Sequence, residues 1–148
     1  MRVPPDQSVL SDQFVTVRQA LLERILLDFP HLVAVYAYGS RVRGGVHSQS
    51  DLDLALLLPA HPRVPAPDLY QLQGDLEAIA GMPVEVSVLN LEANAVHCKE
   101  VVAHGVPVFT ADAQALAVFE MRALSNYARY CEDKRPVTAA YTEGHTHG

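Results

Sequence analysis

The chain has 148 residues, 49% hydrophobic and 19% charged, which suits a folded globular domain and excludes a disordered chain. Eleven Lys and Arg against seventeen Asp and Glu give a formal net charge of −6, so the broad basic surface that grips nucleic acid is not expected, and direct nucleic-acid binding with it. Cys98 and Cys131 lack Cys-x-x-Cys spacing, which suggests neither a disulfide framework nor a zinc site.

The elements can be read in chain order. After Pro4 and Pro5, residues 12–29 carry apolar side chains at helical spacing, with Phe14, Val17, Leu21, Ile25 and Leu26 as one stripe and Pro30 as a stop. Residues 32–38 and 52–58 read as strands, and a loop rich in Pro59, Pro62, Pro65 and Pro67 follows. Residues 68–80 predict a second helix, with Leu69, Leu72, Leu76 and Ile79 facing inward and Gly81 as its terminator. The run 82–89 alternates as a third strand. Residues 91–104 predict a helix ending at Gly105, and 106–109 form a short extended segment in which Pro107 suits an edge. The last long helix covers 112–131, with Leu116, Phe119, Leu124 and Tyr127 along its inner stripe.

From Glu132 onward the mixture of charge, Thr, Gly and His predicts weak order, and His145 and His147 read as part of a solvated tail. The remaining histidines lie on separate elements without ligand spacing. The expectation is therefore a single α/β domain over 1–148, with a core of about 12–131, a flexible tail over 132–148, and a small mixed sheet flanked by helices. No charged-then-apolar leader opens the chain, and no apolar run approaches the ~20 residues that span a bilayer, so a cytoplasmic protein without a membrane partner is expected.

The chemistry is concentrated between the first two strands. Gly39-Ser40 closes the first, ten residues intervene, and Asp51-Leu52-Asp53 opens the second. A strand sends residues i and i+2 to one face, so Asp51 and Asp53 project together while Leu52 and Leu54 enter a core. Two neighbouring carboxylates repel, and a hard divalent cation such as Mg²⁺ removes the conflict while also binding phosphate oxygens. Gly39, lacking Cβ, lets backbone N–H groups approach a phosphate, and Ser40 adds a hydroxyl beside it. Arg41 and Arg43 offer planar, charge-assisted hydrogen bonds to a polyphosphate or to an acidic partner. In the third strand, Val84, Val86 and Val88 share one face, leaving Glu85 and Ser87 on the other.

The Gly-Ser-x10-Asp-x-Asp pattern resembles the signature of the DNA polymerase β-like nucleotidyltransferase superfamily, over roughly residues 30–110. Within it the chain resembles the minimal nucleotidyltransferase (MNT) antitoxins paired with HEPN-domain toxins. The resemblance implies a polymerase β-like fold and transfer of AMP from ATP, with pyrophosphate released. It implies two Mg²⁺ ions held by Asp51, Asp53 and a third acid, for which Glu85 is the match, although aspartate is more usual there. Gly39 and Ser40, with Arg41 and Arg43 beside them, would hold the nucleotide's phosphates.

The chain leaves little room for an acceptor-binding domain, so the acceptor is expected on another protein. The resemblance implies a tyrosine hydroxyl of a HEPN ribonuclease toxin in a hetero-oligomer. Two alternatives stand beside this reading. One is a non-catalytic antitoxin that occludes the toxin through apolar residues of the last helix, for which Val118, Phe119 and Leu124 are candidates. The other is a transferase acting on a small hydroxyl compound of the aminoglycoside kind.

Overall fold

A computed structural model describes residues 12–39, 51–59 and 68–147, with the backbone alone at 12–15 and 134–147. The elements follow one another as α1 (Asp12–Asp28), β1 (Ala34–Tyr38), β2 (Leu52–Leu57), α2 (Tyr70–Ala80), β3 (Val84–Val88), α3 (Ala95–His104), β4 (Val106–Thr110) and α4 (Ala113–His147). The strands form one mixed sheet in the order β3-β2-β1-β4. β1 runs antiparallel to β2 and β4, whereas β2 and β3 are parallel and are joined through α2, the kind of crossover a parallel pair needs.

Both faces of the sheet are covered. Val35, Ala37, Leu52, Leu54, Leu56, Val84 and Val86 pack with Leu21 and Ile25 of α1 and Leu72 and Leu76 of α2. The opposite face buries Tyr36, Ala55 and Leu57 against Cys98 and Val101 of α3 and Leu116, Phe119 and Ala123 of α4. At about 1.5–3 kcal/mol for each fully buried large aliphatic, these two layers are the main source of stability. A strand buried on both faces should read as a continuous apolar run, and β2, Leu-Asp-Leu-Ala-Leu-Leu, does so except at Asp53.

The two sheet edges are finished differently. β4 carries Pro107, as expected of an edge. On β3 the backbone N–H groups of Val84 and Val86 donate to Glu77 Oε2 at 3.1 Å and Gln73 Oε1 at 3.0 Å. Side chains of α2 thus occupy donors that would otherwise invite another strand.

Helix boundaries depart from the sequence expectation where polar side chains intervene. α2 starts at Tyr70, whose N–H donates to Asp68 Oδ1, and it ends on Gly81 at φ 70°. α3 starts at Ala95 because Asn90 Oδ1 accepts from Glu92 and Ala93 N–H, making a turn over residues expected to be helical. Asn94 then caps the helix by accepting from His97 N–H at 2.9 Å.

α4 continues to His147, past residue 132 where weak order was expected. Charged residues and Ala139-Ala140 favour helix, and Pro136 removes a backbone donor without ending it. Its inner stripe is Leu116, Phe119 and Ala123, so Leu124 is exposed rather than inward. Phe119 is core, while Val118 and Leu124 face outward. Cys98 is buried and Cys131 exposed, and both are free thiols. Among the described residues no helix is long and apolar enough to cross a membrane.

Candidate active site

Strand register assembles a row of polar side chains at one end of the sheet. Tyr38 is the partner of Asp53 across β1 and β2, and Asp53 is the partner of Glu85 across β2 and β3. Because Leu52, Leu54, Val84 and Val86 enter the α1/α2 core, Asp53 and Glu85 share the opposite face, the one covered farther along by α3 and α4. Neighbouring strands lie about 4.8 Å apart, so the two carboxylates are adjacent. Asp51 is exposed and immediately precedes β2.

Gly39 follows β1 at φ 93°, in the region that favours glycine. A Cβ there would overlap Asp53 Oδ2 and come within 3.2 Å of Asp53 Cγ. The glycine thus brings bare backbone against the Asp53 carboxyl. Ser40, Arg41 and Arg43 lie outside the described residues.

Burial first, then Glu85, then Asp51 pushes the Asp53 carboxyl up from 3.8 to about 6. Burial also raises the Tyr38 hydroxyl; the charges of Asp53 and Glu85 add to this, and its contact with Ser87 opposes it. Negative charge is therefore concentrated where the fold makes it expensive. The donor set fits a hard divalent cation, since it consists of carboxylate oxygens and its mutual repulsion is what such an ion would relieve. Among the described residues no three His, Cys, Asp or Glu side chains close around a common point. The acids form an open row rather than a finished cage.

The sequence profile described as Polymerase beta, Nucleotidyltransferase matches residues 21–114, which include the whole row. The chain belongs to that nucleotidyltransferase family. No curated protein shows significant similarity to it. Solved structures share the fold. A chain of a toxin-antitoxin complex with AMP-PNP is 23% identical at a TM-score of 0.66, covering 84% of this chain and 98% of that one. A chain of the toxin-antitoxin MntA-HepT is 18% identical at 0.65, covering 86% and 97%. A third comes from tri-AMPylated Shewanella oneidensis HEPN toxin in complex with MNT antitoxin, 20% identical at 0.64 and covering 88% and 98%.

In this nucleotidyltransferase the sheet end also holds three residues that the motif does not mark. Ser87, two positions beyond Glu85 on the same face, has its Oγ 3.2 Å from His97 Nε2 and 3.4 Å from the Tyr38 hydroxyl. The Tyr38 and His97 rings meet edge to face, with centroids 5.5 Å apart. Alternation along β1 and β3 could have placed Tyr38 and Ser87 beside the acids. Nothing local in the sequence ties His97 to them, because only the packing of α3 on the sheet does so. Tyr36, the other tyrosine on this face, is fully buried and donates to Glu120 Oε2 of α4, which fixes that helix.

Proposed function

We propose that this nucleotidyltransferase is an antitoxin that transfers AMP from ATP to a tyrosine hydroxyl of a HEPN ribonuclease toxin and so neutralises it. The observation that carries the reading is the Asp53–Glu85 register pair beside Gly39, with the Asp53 carboxyl pushed up to about 6 by burial and by its acidic neighbours. Such an arrangement is costly for a purely structural strand and useful for binding metal and triphosphate. Membership of the family supplies the reaction type. The fold neighbours, one a toxin-antitoxin with AMP-PNP and another a tri-AMPylated HEPN toxin with MNT antitoxin, support the nucleotide and the acceptor.

In this reading Asp51, Asp53 and Glu85 would hold two Mg²⁺ ions, which would supply charge neutralisation for the triphosphate. Gly39, which turns the chain past the Asp53 carboxyl, would offer backbone N–H groups to phosphate oxygens, with Ser40 and with Arg41 and Arg43 close by in sequence. The acceptor tyrosine oxygen bonds to the α-phosphorus, the bond to the β-phosphate oxygen breaks, and pyrophosphate leaves. Glu85, exposed on the edge strand, would take the hydroxyl proton and pass it to water.

The rival reading, silencing by occlusion, draws on the exposure of Val118 and Leu124 along α4. One experiment separates the two. Asp51→Ala with Asp53→Ala is expected to abolish the mass increments of AMP on the toxin and to lose neutralisation while the complex still forms. Full protection by that double variant would leave occlusion as the function.

A further inference from the structure

Among the described residues β3 is an edge strand, hydrogen-bonded to a neighbouring strand on one side, and it carries the exposed Glu85. A metal ligand or proton acceptor must hold its place to within about half an ångström, which a frayed edge strand does not guarantee. Three features compensate. Gln73 and Glu77 of α2 take the outward N–H groups of Val86 and Val84, on either side of Glu85 in sequence. On the catalytic face, Ser87 is tied to His97 of α3, whose own N–H is anchored on Asn94. Through Ser87 the same tie reaches Tyr38, the register partner of Asp53.

We infer that His97, acting through Ser87, is a positioning residue that locks the Glu85 end of β3 against the Asp53 end of β2, with the Tyr38 hydroxyl as the third member of the bridge. The inference rests on the function proposed above, because it assigns these residues to the same acid row. The physical case is one of reach and redundancy. α3 contributes two core side chains, Cys98 and Val101, and these already fix the helix on the sheet. The His97–Ser87 contact is therefore not needed to hold α3 in place. What it adds is a polar link from a rigid, capped helix to the strand that bears the third acid. His97, Ser87 and Tyr38 are each only partly buried, so the link lies at the site rather than in the core.

The test uses the full chain and two readouts, Mn²⁺ affinity in the presence of AMP-PNP, followed by electron paramagnetic resonance, and AMP transfer to the HEPN toxin. Removing a hydrogen-bond partner of a metal ligand typically weakens affinity or activity by about 10–100-fold, and because Ser87 acts on Glu85 through the β3 backbone the lower end of that range applies. Ser87→Ala and His97→Leu are expected to lower kcat and Mn²⁺ affinity at least ~10-fold, with KM for the toxin within about twofold of wild type. Ser87→Thr and His97→Gln, which keep polar atoms in reach, are expected to restore most of both. Tyr38→Phe, which keeps the ring and its packing, should give an intermediate loss and covers the case in which a larger change unfolds the chain.

Wild-type values of both readouts in Ser87→Ala and His97→Leu would overturn the positioning role. So would equal losses in the conservative and non-conservative variants. If wild-type protein binds Mn²⁺ with AMP-PNP yet adds no AMP to the toxin, the proposed reaction fails, and the positioning role is then decided by the Mn²⁺ titration of the same variants.

Discussion

Replacing Gly39 with alanine tests the site at its tightest point. Alanine at φ 93° must either adopt a backbone conformation that L-residues avoid or force the chain to turn elsewhere. Holding the strained conformation costs about 1–2 kcal/mol. The new Cβ would also overlap Asp53 Oδ2, and Asp53 Cγ, 3.2 Å away, leaves the carboxyl little room except by leaving its rotamer, at about 1 kcal/mol more. The sum, about 2–3 kcal/mol, corresponds to a melting temperature lowered by roughly 6–9 °C for a chain of this size.

Activity should fall further than stability suggests, because a displacement of about 1 Å at a catalytic group can cost ~100-fold. Gly74→Ala is the internal control. It lies in α2, where a Cβ meets nothing within 4 Å, and it should stabilise the protein by up to ~1 kcal/mol with unchanged AMP transfer. Thermal melts and single-turnover transfer on both variants decide the matter. A Gly39→Ala protein that melts and reacts like wild type would refute the claim that bare backbone at this position shapes the Asp53 carboxyl.

Asp53→Asn should separate stability from function through pH. The folded chain holds a proton on Asp53 up to about 6, above the ordinary 3.8, so this residue's contribution is fully present below pH ~4 and is lost as pH rises through 6. The full shift corresponds to roughly 3 kcal/mol at 1.36 kcal/mol per pH unit, and partial solvation reduces the expected gain of Asp53→Asn at pH 7–8 to about 1–2 kcal/mol. Chemical denaturation across pH 4–8 should show that gain shrinking toward pH 4, while AMP transfer is lost throughout; a gain independent of pH would contradict the assignment. Gln73→Leu leaves the Val86 N–H without its acceptor at the β3 edge, at a cost of about 1–2 kcal/mol. Amide hydrogen exchange should quicken at Val86 more than at Val84, whose acceptor is Glu77, and equal protection in variant and wild type would argue against the clamp.

Much of this arrangement was legible because period-two alternation dictates faces. Asp53 interrupts an apolar central strand, and Glu85 stands between Val84 and Val86, so the sequence already implied that each acid would emerge on a definite side. That the two sides coincide is a matter of register, which places Asp53 beside Glu85 and which no local pattern encodes. The His97 contact and the Gln73 and Glu77 caps were invisible for the same reason, as each depends on how a helix crosses the sheet. Residues 91–94, helical by spacing, form a turn because Asn90 and Asn94 both favour capping, and the backbone uses the first for a turn and the second for the helix start. Leu124 faces outward because the inner stripe of α4 passes from Phe119 to Ala123, which is fully buried.

The connectivity of the sheet also sets how much chain each contact of the centre must close. Gly39, just past β1, and Asp53 of β2 meet where consecutive strands pair antiparallel, a comparatively local contact. Glu85 pairs with Asp53 across a connection that contains α2, so its contact closes a longer loop at a larger entropic cost. During synthesis Gly39 and Asp53 leave the ribosome before Glu85, so a nascent chain from which β3 has not yet emerged carries the glycine and Asp53 without the carboxylate that pairs with it.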